Sequence, residues 1–393
     1  MARGIGSQRI GRVRQAMAPF VRFFEHSQWA RRKDEPGICD FVLGNPHEMP
    51  LAGVVAALEQ HVRPADKDWF GYKTSEPASR AIVAAALREH LAMPFEDDDV
   101  LLTNGAFAAL ATALCALVDP GDEVIYLSPP WFFYESLIVA YGAEPVRVEV
   151  DRETFEPDVA AIEAAITART RAIVINSPNN PTGKVYPPAL LGALAEVLRA
   201  ASARHGGPIY LLSDEAYRRI VFDGRDVPSP TAFYRDSLLL YTYGKTLLTP
   251  GQRLGYIALP PSMGHREDLR AALTAAQFVT GFAFPNALMQ HALADLERLS
   301  IDVGELQRKR DRLVAALRTM GYELQVPEGT FYLLVRSPQS DDVAFVERLA
   351  EHDVFCLPGT FVEFPGTFRI SLTANDEMIS RALPGFEAAL AGA

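Results

Sequence analysis

The stretch LLLYTYGKTLLTPGQRLGYIAL, residues 238–259, joins two short apolar runs through a turn that carries one lysine and one arginine. The runs over 238–243 and 254–259 have the length and composition of buried β-strands. Lys245 follows the first run, and Arg253 directly precedes the second. A lysine that ends a strand inside a packed domain loses part of its hydration, which makes its amine a candidate nucleophile. An exposed or ion-paired lysine is the commoner alternative.

Similar apolar runs recur upstream and alternate with stretches of helical periodicity. Between about residues 98 and 260 the strand-like runs are VLLT, EVIYL, AIVIN, IYLLS, LLLYTY and LGYIAL. This alternation predicts an α/β fold, with a largely parallel sheet between two layers of helices. Ligands of such sheets bind at the carboxyl ends of the strands. SPPW, SPNNPTG, DEAY and GK each follow one of these runs, so we expect one site built from several strand ends.

The two ends of the chain have a different pattern. Residues 1–50 lack clear alternation, whereas the C-terminal part begins with a predicted long helix over 286–319 and continues with the runs FYLLV and FRISL. We therefore expect a smaller α+β unit built from both ends. The predicted division is an N-terminal arm with part of the small domain over 1–50, a large domain over 51–285, and a C-terminal small domain over 286–393.

Composition and charge argue against several classes of protein. The 393 residues are 49% hydrophobic and carry a formal net charge of −11, which disfavours a general nucleic-acid-binding surface. The longest apolar run, over 106–118, is too short to cross a membrane. Cys39, Cys115 and Cys356 have neither disulfide-framework nor zinc-ligand spacing, so we expect no metal site and a reducing, cytoplasmic location.

The N-terminal segment is basic. Its first 24 residues contain no acidic side chain and five arginines, namely Arg3, Arg9, Arg12, Arg14 and Arg22. Transit peptides and plain N-terminal arms share this composition, and the lack of an apolar signal core favours an arm.

Two further groups of residues follow predicted strands. Asp214 and Tyr217 come after IYLLS: a buried carboxylate there needs a cation such as a protonated pyridine nitrogen, and Tyr217 could reach the neighbouring ring oxygen. A helix N-cap and a core tyrosine are the alternatives. Gly105, Ala106 and Phe107 begin an alanine-rich helix, where backbone N–H groups bind phosphate, although an ordinary Asn-Gly turn explains them too.

Taken together, these residues resemble the class I/II aminotransferases, pyridoxal-phosphate-dependent enzymes of fold type I. The resemblance runs from about Gly44 to Arg369 and rests on separated motifs that occur in the family's order. They are the NPTG turn at Asn180–Gly183, the Asp-x-x-Tyr pair Asp214 and Tyr217, and the lysine with its trailing arginine, Lys245 and Arg253. The fold that this resemblance implies has a mostly parallel seven-stranded sheet flanked by helices, plus a smaller α+β domain.

The resemblance implies a role for each matched residue toward pyridoxal 5'-phosphate. Lys245 forms a Schiff base with the cofactor and shuttles the substrate proton, and Asp214 pairs with the ring nitrogen. Tyr217 and Asn180 contact the ring oxygen. Trp131 stacks on the ring, with a core tryptophan as its alternative. The residues that bind the phosphate are Gly105, Ala106, Phe107, Thr242, Arg253 and Tyr72.

Substrate binding and assembly are implied in the same way. Arg369 matches the arginine that binds the substrate α-carboxylate, and Gly44 matches the loop that covers it. Trp131 and Asn180 also border the substrate. Tyr72 matches a tyrosine that reaches the cofactor phosphate of a partner subunit, which implies a homodimer with shared active sites.

The implied reaction moves the α-amino group of an L-amino acid to a 2-oxo acid by a ping-pong mechanism. Related enzymes use the same residues for C–S lysis, for cyclisation of the aminocyclopropane-carboxylate synthase type, or for amino-acid oxidation, so these alternatives stay open. A regulator without turnover is disfavoured, because about 40 residues before Gly44 leave no room for a DNA-binding domain. No second arginine can be assigned to a distal carboxylate, and Phe132, Phe133 and Tyr134 indicate either an apolar substrate side chain or core packing.

Overall fold

A computed structural model describes residues 6–392, so Arg3 of the basic segment lies outside the described residues. The α-helices are α1 Gln8–Ala16, α2 Ala18–His26, α3 Gln28–Arg32, α4 Ala52–His61, α5 Pro77–Leu91, α6 Ala106–Leu117, α7 Tyr134–Ala140, α8 Val159–Ala165, α9 Pro188–His205, α10 Tyr243–Thr246, α11 Arg266–Thr280, α12 Ala287–His291, α13 Leu293–Leu296, α14 Val303–Met320, α15 Asp342–Glu351 and α16 Asp376–Ala391. The strands are β1 Cys39–Asp40, β2 Val100–Thr103, β3 Glu123–Ser128, β4 Glu144–Glu149, β5 Thr170–Asn176, β6 Tyr210–Asp214, β7 Ser237–Thr242, β8 Gly255–Ala258, β9 Tyr332–Arg336, β10 Val354–Phe355, β11 Leu357–Pro358 and β12 Thr367–Ser371.

The large sheet contains seven strands in the order β2-β8-β7-β6-β5-β3-β4. Neighbours from β7 to β4 run parallel, and β8 is antiparallel to both β7 and β2. All six apolar runs of the sequence correspond to strands of this sheet, which confirms the predicted fold. The seventh strand, β4, is absent from those runs because it lies at the sheet edge, contains Pro145 and is largely charged.

Helices bury both faces of this sheet. α6, α7 and α11 pack on one face through a continuous apolar cluster. α8 and α9 cover part of the other face, and α5 and α13 cover the remainder near β8. Because strands buried on both sides must be apolar throughout, β3, β5 and β7 read as unbroken hydrophobic runs rather than as alternating ones.

A smaller sheet lies in the C-terminal part. β11, β12 and β9 are antiparallel, and β1 pairs in parallel with β10. The runs FYLLV and FRISL correspond to β9 and β12. Since β1 comes from the N-terminal segment, the smaller unit is built from both ends of the chain, as predicted.

The predicted single helix over 286–319 is wrong, because the chain forms α12, α13 and α14 there. The Asp302 side chain accepts a hydrogen bond from the Glu305 N–H at 2.9 Å and thereby starts a new helix. Just before it, the Ile301 N–H donates to the Thr246 carbonyl at 2.9 Å. The chain between α13 and α14 is therefore held against the end of α10 instead of continuing a helix.

The predicted domain boundaries at residues 50 and 285 stay predictions. α12 and α13 pack against α4 and α5, in an apolar cluster that also includes residues of β8. At the N-terminal end, α1 packs on α7, and Arg12 forms an exposed salt bridge with Glu144 at 2.6 Å. Of the helices described between residues 6 and 392, none combines the length and the apolar character that crossing a membrane requires.

Candidate active site

A cavity of about 210 Å³ opens at the carboxyl ends of the large-sheet strands. All predicted site residues except Gly105 and Tyr72 line it, namely Gly44, Ala106, Phe107, Trp131, Asn180, Asp214, Tyr217, Thr242, Lys245, Arg253 and Arg369. Its remaining lining residues are Leu43, Asn45, Phe132, Asn176, Ala216, Pro250 and Tyr332. The structure therefore brings residues from eight separate segments of the chain into one site.

Lys245 lies in α10, directly after β7. Thr242 caps this helix by accepting a hydrogen bond from the Gly244 N–H at 3.4 Å. The Lys245 Nζ atom lies 5.7 Å from the centre of the Tyr217 ring and 5.6 Å from that of Phe331. This amine is only partly exposed and forms no salt bridge with any carboxylate in residues 6–392. Neither commoner role, an exposed or an ion-paired lysine, therefore applies to it.

Asp214 is the last residue of β6 and faces the cavity. The Tyr134 hydroxyl donates to Asp214 Oδ2 at 2.7 Å, and the Ala216 N–H donates to Oδ1 at 3.2 Å. Burial raises the pKa of Asp214, whereas these hydrogen bonds and the positive charge of Lys245 oppose that rise. The chain continues as a turn rather than a helix, so Asp214 is not a helix N-cap. A desolvated carboxylate of this kind suits a ligand that brings its own positive charge.

We expect the substitution Tyr134→Phe to raise the pKa of Asp214 further. It removes the hydroxyl that donates to the ionised carboxylate, so the protonated form gains relative to the charged form. The carboxyl carbon of Asp214, labelled with ¹³C and assigned with an Asp214→Asn variant, should titrate at higher pH in the protein without cofactor. Tyr141→Phe is the control, because Tyr141 ends the same helix without contacting Asp214. An unchanged titration in Tyr134→Phe would contradict the proposed hydrogen bond.

The end of β5 is tied to Asp214 and to the NPTG turn by hydrogen bonds. Asn176 Nδ2 donates to the Asp214 carbonyl at 2.8 Å, and Asn176 Oδ1 accepts from the Asn180 N–H at 2.7 Å. The Asn180 side-chain oxygen in turn accepts from Arg369 at 2.9 Å. Asn176 is a site residue that the sequence reasoning missed, although its position at a strand end is the signal that identified its neighbours.

An anion subsite is formed where α6 begins. No side chain caps the N terminus of this helix, which leaves its first backbone N–H groups available to a ligand, and Ala106 and Phe107 of its first turn line the cavity. Gly105 has φ +83°, and a Cβ atom there would lie 2.7 Å from Arg253 Nη2 and 3.2 Å from Thr242 Oγ1. Arg253 Nη1 donates to the Pro250 carbonyl at 2.8 Å, and no carboxylate in the described part of the chain pairs with it. Burial lowers the pKa of Arg253. This donor set fits a phosphate group.

A second cationic subsite surrounds Arg369, which is 1% exposed. Its two terminal nitrogens donate to Asn180 Oδ1 at 2.9 Å and to the Val42 carbonyl at 2.8 Å. The guanidinium carbon lies 4.0 Å from the centre of the Tyr332 ring, while Nε has no hydrogen-bond partner in the structure. Among residues 6–392 no carboxylate pairs with Arg369. A buried guanidinium in this state is suited to bind a carboxylate from a ligand.

Tyr217 and Gly44 approach the small sheet at the same place. Tyr217 packs edge-on against Phe331, with 5.3 Å between ring centres, and its pKa is raised by burial and by the neighbouring Tyr332 hydroxyl. A Cβ atom on Gly44 would overlap the Phe331 ring and lie 2.6 Å from the Tyr332 hydroxyl oxygen, so only glycine fits there. Tyr332 was not predicted, because nothing in the run FYLLV distinguishes a site residue from a core residue.

Trp131 and Phe107 form an aromatic wall of the cavity, with ring centres 4.9 Å apart at an interplanar angle of 85°. Tyr72 does not reach the cavity of its own chain. Its side chain is 89% exposed, and its ring lies 4.8 Å from that of Phe284.

The geometry agrees with comparisons with known proteins. Residues 38–385 match the family model of aminotransferase class I and II. The aspartate/prephenate aminotransferase of Thermus thermophilus is 33% identical over 324 residues, which cover 79% of this chain and 80% of that protein. An aminotransferase structure from Eubacterium rectale superposes with a TM-score of 0.90 at 30% identity and covers 99% of both chains. The T. thermophilus aspartate aminotransferase with maleate gives a TM-score of 0.82 at 29% identity, over 99% of this chain and 100% of that one.

The seven-stranded sheet and the cavity at its strand ends are those of a fold type I transferase. The chain belongs to the class I and II aminotransferases and is an enzyme of that class. The family is generally dependent on pyridoxal phosphate. These findings confirm the resemblance, the fold and the enzyme class predicted from the sequence, and they leave the individual residue roles as predictions.

Proposed function

We propose that this aminotransferase uses pyridoxal 5'-phosphate to move the α-amino group of an L-amino acid to a 2-oxo acid by a ping-pong mechanism. One observation carries the proposal: a single cavity contains the buried Asp214 carboxylate together with the Lys245 amine and two guanidinium groups, and none of these three cations pairs with a carboxylate within residues 6–392. Transamination needs an amine and a carboxylate that pairs with the ring nitrogen of the cofactor. It also needs binding sites for two anions, the cofactor phosphate and the substrate α-carboxylate.

The side chains and helix start that line the cavity fit both the phosphate and the ring of the cofactor. The start of α6, Arg253 and Thr242 would hold its phosphate, and Asp214 would pair with its ring nitrogen. Tyr217 and Asn180 would hold the ring oxygen, while Trp131 offers an aromatic face. When bound, pyridoxal phosphate supplies the electron sink that makes the substrate Cα–H bond acidic.

The residues of the chain then divide the remaining tasks. Arg369 binds and orients the substrate α-carboxylate, with Asn180 fixing the guanidinium from one side. The Lys245 amine takes the proton from the substrate Cα and returns it as general base and acid. Tyr217 and Phe331, whose rings flank this amine, exclude water from it.

The test is a half-reaction without acceptor. Enzyme supplied with pyridoxal phosphate is incubated anaerobically with single L-amino acids, and the released oxo acid and ammonia are quantified. We expect one oxo acid per active site and no ammonia. Continuous release of ammonia with an oxo acid would identify a lyase, and a cyclised product would identify a cyclase. Turnover that appears only in a parallel incubation in air would identify an oxidase. Each of those results would overturn transamination.

We expect Gly105→Ala to weaken cofactor binding by at least about 10-fold. The added Cβ meets Arg253 Nη2 at 2.7 Å and so displaces a phosphate ligand. Gly121→Ala is the matched control, because Gly121 also has a positive φ of 94° but nothing within 4 Å of the added atom. Both variants place alanine at a positive φ and so carry backbone strain, and only the first should lose affinity for pyridoxal phosphate in an equilibrium titration. Equal affinities in the two variants would contradict the phosphate subsite.

We further propose that the enzyme is a homodimer in which Tyr72 contributes to the partner's phosphate site. Tyr72, Phe278 and Phe284 form an exposed aromatic patch, with exposures of 89%, 54% and 44%. The Tyr72 hydroxyl has no hydrogen bond within residues 6–392, which leaves it available to a second subunit. Sedimentation equilibrium should give twice the chain mass, and Tyr72→Phe should weaken cofactor binding without dissociating the dimer. A monomeric wild type would contradict this assembly.

The proposed location is the cytoplasm. Cys39, Cys115 and Cys356 are all free thiols, and two of them are buried. Free buried thiols are usual in a reducing compartment.

A further inference from the structure

The walls of the active-site cavity indicate the class of substrate, an inference that rests on the proposed function. We propose that the amino acid selected by this site carries an uncharged, apolar side chain of aromatic size, and that a side-chain carboxylate is disfavoured.

Each cation of the cavity already has a task. Among the described residues the cationic lining groups are Lys245, Arg253 and Arg369. Arg253 lies beside Gly105 at the start of α6, and Arg369 is held between Asn180 and the Val42 carbonyl. The phosphate and the α-carboxylate therefore use the two guanidinium groups, and the lysine carries the proton. A second substrate carboxylate finds no further positive charge on these walls.

The remaining walls are mostly apolar and aromatic. Their apolar members are Leu43, Ala106, Phe107, Trp131, Phe132, Ala216 and Pro250, and the polar side chains among them, Asn45, Asn176 and Tyr332, carry no positive charge. Ala106 and Phe107 stand in the first turn of α6, and neither side chain can donate a hydrogen bond. A carboxylate placed against such walls loses its hydration without gaining a partner, whereas an apolar group gains from being removed from water.

The aromatic wall is supported from behind. Phe132 packs against Phe20 of α2 with 5.2 Å between ring centres, and Phe20 is also 5.1 Å from Phe133. Phe133 stacks on Phe107 at 5.3 Å with an interplanar angle of 22°. Phe24 extends the cluster behind Phe20, with ring centres 4.1 Å apart, and does not line the cavity. The wall is thus a fixed aromatic surface.

From the sequence, Phe132 indicates either an apolar substrate contact or core packing. In the structure its side chain packs in the apolar cluster with α2 and also lines the cavity. A ring fixed in this way provides a stacking partner for an aromatic side chain.

The experiment compares L-phenylalanine with L-aspartate as donors for the enzyme loaded with pyridoxal phosphate. We expect kcat/KM to be at least about 100-fold higher for phenylalanine. In a second measurement, calorimetry should show 3-phenylpropionate binding at least about 10-fold more tightly than succinate, which requires no turnover. Both compounds carry a carboxylate for Arg369 and differ in the group that meets the aromatic wall.

Two variants test whether the preference for phenylalanine depends on the ring of Phe132. Phe132→Ala should lower kcat/KM for phenylalanine by about 10-fold and change that for aspartate by less than about 2-fold. Phe24→Ala removes a ring of the same cluster that does not line the cavity, and it should leave the ratio of the two donors unchanged. Equal or better use of aspartate, with oxo acid formed, overturns the substrate class and leaves transamination standing. Absence of oxo acid with every donor overturns the proposed function, while the binding of 3-phenylpropionate and succinate still decides the wall's preference.

Discussion

The substitution Lys245→Ala is expected to lower amino-transfer turnover by at least about 10⁴-fold while leaving the protein folded. In the proposed mechanism the amine both accepts and returns the substrate proton, so its loss removes general acid–base catalysis together with the nucleophile. The fold should survive because the amine has no salt bridge in residues 6–392, so its removal leaves no buried carboxylate unpaired. We expect the free energy of unfolding to change by less than about 1 kcal/mol.

The measurement is oxo-acid formation from the best donor, with urea unfolding of the same samples. Lys33→Ala serves as the control, because Lys33 is exposed and lies 5.6 Å from the centre of the Trp29 ring, in the N-terminal segment. It should retain wild-type turnover. Turnover near the wild-type level in Lys245→Ala would show that another group moves the proton, and it would remove the central assignment of the site.

The strand ends could be predicted from the sequence because the physical rule is local. Asp214 and Lys245 each follow an apolar run, and parallel strands bring their carboxyl ends to one edge. The same rule applies to Asn176 at the end of β5, which was overlooked beside the more conspicuous Asn180. Six of the seven strands were predictable because buried strands must be continuously apolar, whereas the edge strand β4 has no such run.

Other parts of the site depend on contacts between distant segments. Tyr134 donates to Asp214 across 80 positions of sequence, and no local pattern marks it as anything but part of an aromatic run. Tyr332 reaches the cavity because the small sheet places its ring against Arg369. The break before α14 likewise depends on the contact between Ile301 and Thr246, which helical periodicity does not contain. These features are determined by packing between distant segments and not by local secondary-structure propensity.

The substitution Arg369→Gln is expected to lower kcat/KM for an amino-acid donor by about 10³-fold. Two charge-assisted hydrogen bonds to the α-carboxylate are worth about 4 kcal/mol together, which corresponds to that factor. The sharper measurement pairs L-phenylalanine with phenethylamine, which lacks the carboxylate. The variant should lose activity toward phenylalanine and keep the low wild-type rate toward the amine. An equal loss for both donors would mean that Arg369 acts on the shape of the site and does not bind the carboxylate.

A second buried arginine provides a control that distinguishes an effect on substrate binding from an effect on protein stability. Arg310 is 3% exposed, as deeply buried as Arg369, but it forms hydrogen bonds of 2.7 and 2.8 Å with the two carboxylate oxygens of Asp223. Arg310→Gln breaks an existing pair, so it should cost about 2 kcal/mol of stability and leave the ratio between phenylalanine and phenethylamine unchanged. Arg369→Gln removes a guanidinium whose Nε is unsatisfied and which has no carboxylate partner in the described chain. This substitution loses the hydrogen bonds to two neutral oxygens, which lowers stability, but it also removes a charge that is buried away from water, which raises stability. The larger effect should therefore be on substrate binding. A buried arginine that pairs with a carboxylate of its own chain stabilises the fold, whereas one without such a partner is available to bind a carboxylate of the ligand.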